Sequence, residues 1–101
     1  MMYRPIEILL ADDHEIFRDG FTLMVRKLPE LKLVGEAADG RRLVELAVKL
    51  APDVIITDIK MPVMTGLEAT IELTRKCPQI GIIALSMYGE ESHVMEMVRA
   101  G

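Results

Sequence analysis

Residues 6–17 read IEILLADDHEIF. Ile6 to Leu10 are apolar apart from Glu7, and then Asp12 and Asp13 arrive side by side, with Glu15 two residues on. Adjacent carboxylates repel, so packing alone gives no reason to place two acids where an apolar run ends. The run itself has the length and composition of a buried strand. The fold therefore turns on whether other strands of this kind exist and on what stands at their ends.

Three more short runs fit. They are Leu31–Ala37, Val54–Thr57 and Ile80–Leu85. The last two, VIIT and IGIIAL, are nearly continuous in apolar residues, as expected for parallel strands covered on both faces. Helical spacing fills the gaps. Phe17, Phe21, Met24 and Leu28 make one stripe, and Leu43, Leu46, Ala47 and Leu50 a second. Leu67, Ile71 and Thr74 make a third, and Val94, Met97 and Val98 begin a fourth. Pro29, Pro52 and the CPQIG segment stop the first three helices. Asp39-Gly40 opens the second helix with a capping residue. Thr65-Gly66-Leu67-Glu68 is the T-x-x-E capping box and opens the third. The order is β-α-β-α-β-α-β-α. It predicts an α/β fold with a doubly wound parallel sheet and right-handed crossovers.

Bulk properties agree with one small domain spanning residues 1–101. Half the residues are hydrophobic and 28% are charged, a globular composition. The net charge of −4 and pI near 5.1 argue against this segment gripping nucleic acid by itself. Cys77 is the single cysteine, so no internal disulfide framework exists, which suits a reducing cytoplasm. No apolar run approaches the roughly 18 residues of a membrane span, and MMYRPIEI lacks a signal-peptide apolar region. No internal repeat or linker is visible.

In a doubly wound sheet, ligands sit beyond the carboxyl ends of the strands. Asp12 and Asp13 follow the first strand, Asp58 follows the third and Ser86 the fourth. If strands one and three are neighbours, three carboxylates and a hydroxyl meet at one edge. Their mutual repulsion is relieved by a hard divalent cation with oxygen ligands, and Mg²⁺ is the expected one.

Four segments, LLADDHEIFRDGF, GEAADG, PDVIITDIKMPVMTGLEAT and IIALS, stand in the order and spacing of the response-regulator receiver family, which the whole chain resembles. DDH together with GEAADG is similar to the NarL/FixJ-like subfamily, whose members usually carry a C-terminal LuxR-type helix-turn-helix. The resemblance implies a flavodoxin-like (βα)5 fold, here cut to about (βα)4, with strand order 2-1-3-4. It implies that Asp58 accepts a phosphoryl group from a histidine kinase, a phosphotransfer protein or a small phosphodonor. Asp13, Asp58 and the backbone carbonyl of Lys60 would ligate Mg²⁺, and Asp12 would hold metal-bound water. Ser86 would be the switch hydroxyl, and the backbone N–H of Met87 would bond a phosphoryl oxygen. The module would be no enzyme beyond accepting and losing its own phosphoryl group.

Two departures from the family pattern stand out. Its MDG reads Met64-Thr65-Gly66, and Thr caps a helix as Asp does. Its fifth strand, fifth helix and strand-end lysine have no counterpart before Gly101. This is read as a chain cut short, which would leave strand four as an apolar edge and favour a homodimer through the strand-four and helix-four side, or else local disorder there. A monodisperse monomer with well-protected strand-four amides would count against that. The Lys60 ammonium is a candidate replacement for the missing lysine, and Tyr88 a candidate flank to the same water path. Exchanging Lys60 for Ala without changing phosphorylation or hydrolysis rates would retire the first idea.

Plainer readings stand beside these. Asp12-Asp13 can be a helix N-cap beside a solvated acid, and Asp58 or Ser86 a strand-end turn residue. His14 reads as solvent-facing rather than metal-touching, His93 as exposed, and Asp53 as a residue that starts a strand. As whole-chain alternatives, a non-phosphorylated pseudo-receiver used for dimerisation or docking competes with the phosphoacceptor. An aspartyl-phosphate hydrolase would place D-x-D on the first strand, where this chain has D-D-H. No Gly-rich phosphate loop or Cys/His pairing is present.

Overall fold

The first strand, β1, spans Ile6–Ala11, and its residues become steadily more buried toward the acidic end. The computed structural model describes residues 4–59 and 61–85. Helix α1 (Glu15–Arg26) leads to β2 (Leu31–Ala37), then α2 (Gly40–Leu50), β3 (Val54–Asp58), α3 (Gly66–Lys76) and β4 (Gly81–Leu85). The four strands are all parallel and stand in the order β2-β1-β3-β4. This is the predicted flavodoxin-like winding, in which the order reverses between β1 and β3. The expected fourth helix, with Val94, Met97 and Val98, lies outside the described residues.

Alternation along β1 sends Leu9 and Ala11 to one face and Ile8 and Leu10 to the other. Leu9 and Ala11 join Ile55, Leu43, Leu46, Ala47, Ala69 and Leu73 in one core under α2 and α3. Ile8, Leu10 and Val25 are buried outside that core. Gly35 stands where a side chain would press on two leucine side chains. The β1–β2 register shifts between Ile8 and Leu9, and a Cβ at Gly35 would lie 3.0 Å from Leu50 Cδ1 and 3.1 Å from Leu9 Cδ1.

The punctuation read from the sequence holds, with small shifts. The Asp39 carboxylate accepts from the Arg42 N–H, and Thr65 and Glu68 form the reciprocal capping box. Helix α1 stops at Arg26, ahead of Pro29, because the Lys27 and Leu28 amides turn back to Met24 and Val25. Ala51 closes α2 in the left-handed region, φ 46°. Strand β3 runs one residue further than expected and includes Asp58, while β4 begins one residue later, after a turn closed by the Ile80 N–H on the Cys77 carbonyl.

Two predicted helix faces are corrected. In α1, Phe17 and Phe21 are half-buried and their rings stack 6.3 Å apart, but Met24 and Leu28 are exposed and Val25 is the buried residue. In α3 the expected stripe faces the wrong way. Ile71 is half exposed, and the buried face is Gly66, Ala69, Thr70 and Leu73, with Cys77 just beyond. Thr70 reads as polar in a hydropathy pattern, yet it packs inside because its hydroxyl donates to the Gly66 carbonyl at 2.7 Å.

Strand β4 stands at the sheet edge among the described elements, and Ile83 is half exposed on it. Helix four, the other half of the expected dimer face, lies outside the described residues.

Asp53 does more than begin a strand. Its carboxylate accepts the Glu7 N–H at 2.8 Å and the Arg4 guanidinium at 2.7 Å. Its own N–H donates to the Glu7 carbonyl at 2.9 Å, and its carbonyl accepts from Gly81 N at 3.1 Å. One residue thus ties the lower ends of β1, β3 and β4. Asp53→Ala is expected to cost about 1–3 kcal/mol by urea unfolding, because a partly buried Glu7 amide loses its partner. Arg4→Ala, which removes only a surface ion pair, should cost under about 1 kcal/mol. Equal effects would show that the ion pair, not the amide clamp, matters.

Candidate metal centre

The register of β1 against β3 pairs Leu10 with Ile56 and Ala11 with Thr57. The next residues on the two neighbouring strands are Asp12 and Asp58, so backbone pairing delivers both acids to one edge. Asp12 is 1% exposed and Asp58 is 6% exposed. Asp13 stands at the rim with a more accessible side chain.

Asp12 is held by the turn into α1. Its Oδ1 accepts the backbone N–H of His14 at 2.7 Å, an Asx-type turn. The N-cap residue of α1 is His14, without a side-chain capping bond, so neither aspartate serves as the cap. The same turn folds the imidazole back over the acids. His14 Nδ1 lies 2.8 Å from Asp12 Oδ1 and 3.1 Å from Asp13 Oδ1. The hydrogen bond to Asp12, then the charges of Asp13 and Asp12, hold the imidazole pKa above its ordinary 6.5. The sequence reading placed His14 in solvent. Its ring is indeed half exposed, but it touches both carboxylates. The signal was available, since a residue two beyond a strand-end Asp is the one an Asx turn brings back.

Behind Asp58, a short loop is tied at both ends. The Gly66 N–H donates to the Ile59 carbonyl at 2.8 Å, and the Gly40 N–H to the Met64 carbonyl at 2.9 Å. The Met64 N–H closes on the Pro62 carbonyl at 2.8 Å around Val63, whose φ is 69°. This is a three-residue turn with a β-branched residue in the left-handed region, a strained conformation that the surrounding bonds must enforce. Ile59 and Met61 are buried and anchor the loop. The Thr57 hydroxyl donates to the Asp58 carbonyl at 2.9 Å.

Of the predicted site, Asp12, Asp13 and Asp58 are brought together. With His14 they offer four ligand atoms that all lie within 4.8 Å of one another. Lys60, Ser86, Met87 and Tyr88 lie outside the described residues; β4 ends at Leu85, which pairs with Asp58. A donor set of three carboxylates, two of them buried, fits a hard divalent cation. Buried acids this close are stabilised by a positive charge between them.

Comparison with known proteins agrees with the fold. The family model described as "Response regulator receiver domain" matches residues 8–101. The chain is 40% identical over 96 residues to the transcriptional regulatory protein LiaR of Bacillus subtilis, covering 95% of this chain and 46% of that protein. The chain thus spans under half the length of that relative. The response regulator domain of Thermotoga maritima CheB superposes with a TM-score of 0.91 at 37% identity, over 97% of this chain and 74% of that one. The isolated REC domain of RcsB from Salmonella enterica serovar Typhimurium, solved with the phosphomimetic BeF3−, gives 0.85 at 26% identity, over 96% and 72%. A parallel sheet in the order 2-1-3-4, an acid edge where its winding reverses and a family match over nearly all residues agree: the chain belongs to the response-regulator receiver domain family.

Proposed function

We propose that this domain accepts a phosphoryl group on Asp58 in a Mg²⁺-dependent reaction and so switches an output function in a two-component pathway. The observation that carries the reading is the convergence of Asp12, Asp13 and Asp58 at the ends of adjacent strands. An Asp58 carboxylate oxygen attacks phosphorus. The P–N bond of a phosphohistidine, or the P–O bond of a small acyl phosphate donor, breaks as the acyl phosphate forms. The leaving imidazole or carboxylate keeps the bonding pair. Water later hydrolyses the acyl phosphate.

Phosphoryl transfer needs positioning and charge neutralisation more than covalent help. Burial and the tied 59–66 loop hold Asp58 in place. Asp12, Asp13, Asp58 and the Lys60 carbonyl are the residues that would hold Mg²⁺, which when bound neutralises phosphoryl oxygens and lets the carboxylate approach an anion. The Ser86 hydroxyl and the Met87 N–H take the roles that the resemblance gives them, reading the new oxygens. A hydroxyl bonded to such a charged acceptor contributes ~1.5–3 kcal/mol, enough to bias a two-state segment.

The phosphodonors are a cytoplasmic histidine kinase or phosphotransfer protein and small acyl phosphates. The output is transcriptional, as the name of the LiaR relative suggests. The domain is an acceptor and not a turnover enzyme. Incubation with acetyl phosphate tests the reading. The intact mass should rise by one phosphoryl group with Mg²⁺ and stay unchanged with EDTA. No gain under either condition would favour the docking-module alternative.

A further inference from the structure

We propose that His14 is a nitrogen ligand of the metal centre, so that the site takes imidazole-seeking transition ions, Ni²⁺ most strongly and Mn²⁺ more weakly, through an added nitrogen donor that Mg²⁺ does not use. The inference rests on the metal reading above and adds a donor of a different chemical kind. Its basis is geometric. Cis ligands on an octahedral ion with bonds of about 2.1 Å stand about 3.0 Å apart. His14 Nδ1 lies 2.8 Å from Asp12 Oδ1 and 3.1 Å from Asp13 Oδ1. Those contacts are a hydrogen bond and an ion pair to the carboxylates, and they place Nδ1 at the spacing a cis ligand would take. The four donor atoms all lie within 4.8 Å of one another, near the roughly 4.2 Å that separates trans ligands on such an ion.

The ring is held there by the backbone. The Asp12 carboxylate fixes the His14 N–H at 2.7 Å, and α1 starts at the next residue, which limits the directions open to the side chain. On ligation the metal displaces the proton that Nδ1 shares with Asp12, and that proton goes to solvent. Imidazole suits transition metals and gains in the order Mn²⁺ to Ni²⁺, whereas Mg²⁺ prefers oxygen and keeps its waters. One pocket therefore answers to two classes of ion with different donor sets.

The test is calorimetric titration of the 101-residue chain and of His14→Asn with Mg²⁺ and Ni²⁺, together with pulsed EPR on the Mn²⁺-loaded forms. The proposal expects His14→Asn to lose at least about tenfold in Ni²⁺ affinity, the smaller end of what removing even an outer ligand partner costs. Mg²⁺ affinity should hold or rise, since the imidazole no longer competes for Asp12 and Asp13. A ¹⁴N coupling to Mn²⁺ should appear in the parent and vanish in the variant. Mg²⁺ binding with no ¹⁴N coupling, or with Ni²⁺ affinity unchanged by the substitution, would overturn the role of His14 and leave the Mg²⁺ reading standing. Failure of the parent chain to bind either ion would overturn both.

Discussion

Asp58→Asn is expected to abolish phosphoryl acceptance while leaving the fold in place. Asparagine keeps the volume of the side chain, so the buried position at the end of β3 stays filled. The ladder that places residue 58 consists of backbone bonds from Val54 onward and does not depend on the carboxylate. The chemistry does. An amide oxygen carries no full negative charge and is a poor nucleophile toward phosphorus. The labelling rate with acetyl phosphate should fall at least about a thousandfold, the scale lost when a nucleophile is removed from a preorganised site. Intact-protein mass spectrometry reads the label, and circular dichroism with a thermal melt reads the fold. A variant that remains folded and still takes up one phosphoryl group would place the acceptor elsewhere.

The second large effect is expected at Gly66, where α3 begins. A Cβ there would lie 2.0 Å from the Asp58 carbonyl oxygen and 3.0 Å from both the Asp58 carbonyl carbon and Ile59 Cα. All three neighbours are backbone, so no flexible side chain can move aside. Gly66 also donates its N–H to Ile59, which holds the loop against β3. Gly66→Ala must therefore push α3 away from the sheet or displace Asp58. A cost of about 3 kcal/mol is expected, the upper part of the usual range for overpacking. Displacement of the acceptor adds a functional loss of about a hundredfold, typical of an ångström-scale misplacement. Gly20→Ala is the matched control. Gly20 lies within α1 with nothing within 4 Å of the added carbon, so alanine there should stabilise by about 0.5–1 kcal/mol and leave labelling unchanged. Urea unfolding and acetyl phosphate labelling of both variants separate a steric effect at the site from a general intolerance of substitution. Equal behaviour of the two would contradict the close approach of α3 to Asp58.

The strand runs and the capping residues were the parts of the fold most open to reading. Ile6–Ala11 and Leu31–Ala37 have the same bounds in sequence and structure because each is a short, largely aliphatic segment closed by a turn signal, Asp12-Asp13 after the first and Asp39-Gly40 after the second. Asp39 and the Thr65–Glu68 pair were legible because their bonds span only three residues. The helix faces were harder. In α3 the large apolar residues Leu67 and Ile71 suggested one face, but the sheet takes up small residues, Gly66 and Ala69, together with the self-satisfied Thr70. Size misled because the first turn of α3 approaches β3 too closely for any side chain at Gly66, while the large residue that the face does bury is Leu73, outside the expected stripe. At the site, Asp12, Asp13 and Asp58 were legible from strand ends alone, since register carries that information. The position of His14 was not, because it depends on a turn whose geometry is set by one carboxylate and one amide. The role of Asp53 was equally hidden, since three of its partners come from strands and residues remote in the chain.

A crystal structure of the chain grown with Mg²⁺ and BeF3− tests the central claim most directly. The account predicts an ion about 2.0–2.1 Å from carboxylate oxygens of Asp13 and Asp58, with the fluoroberyllate group on an Asp58 oxygen. An ion bound away from residues 12, 13 and 58, or a beryllium group on any other carboxylate, would contradict it.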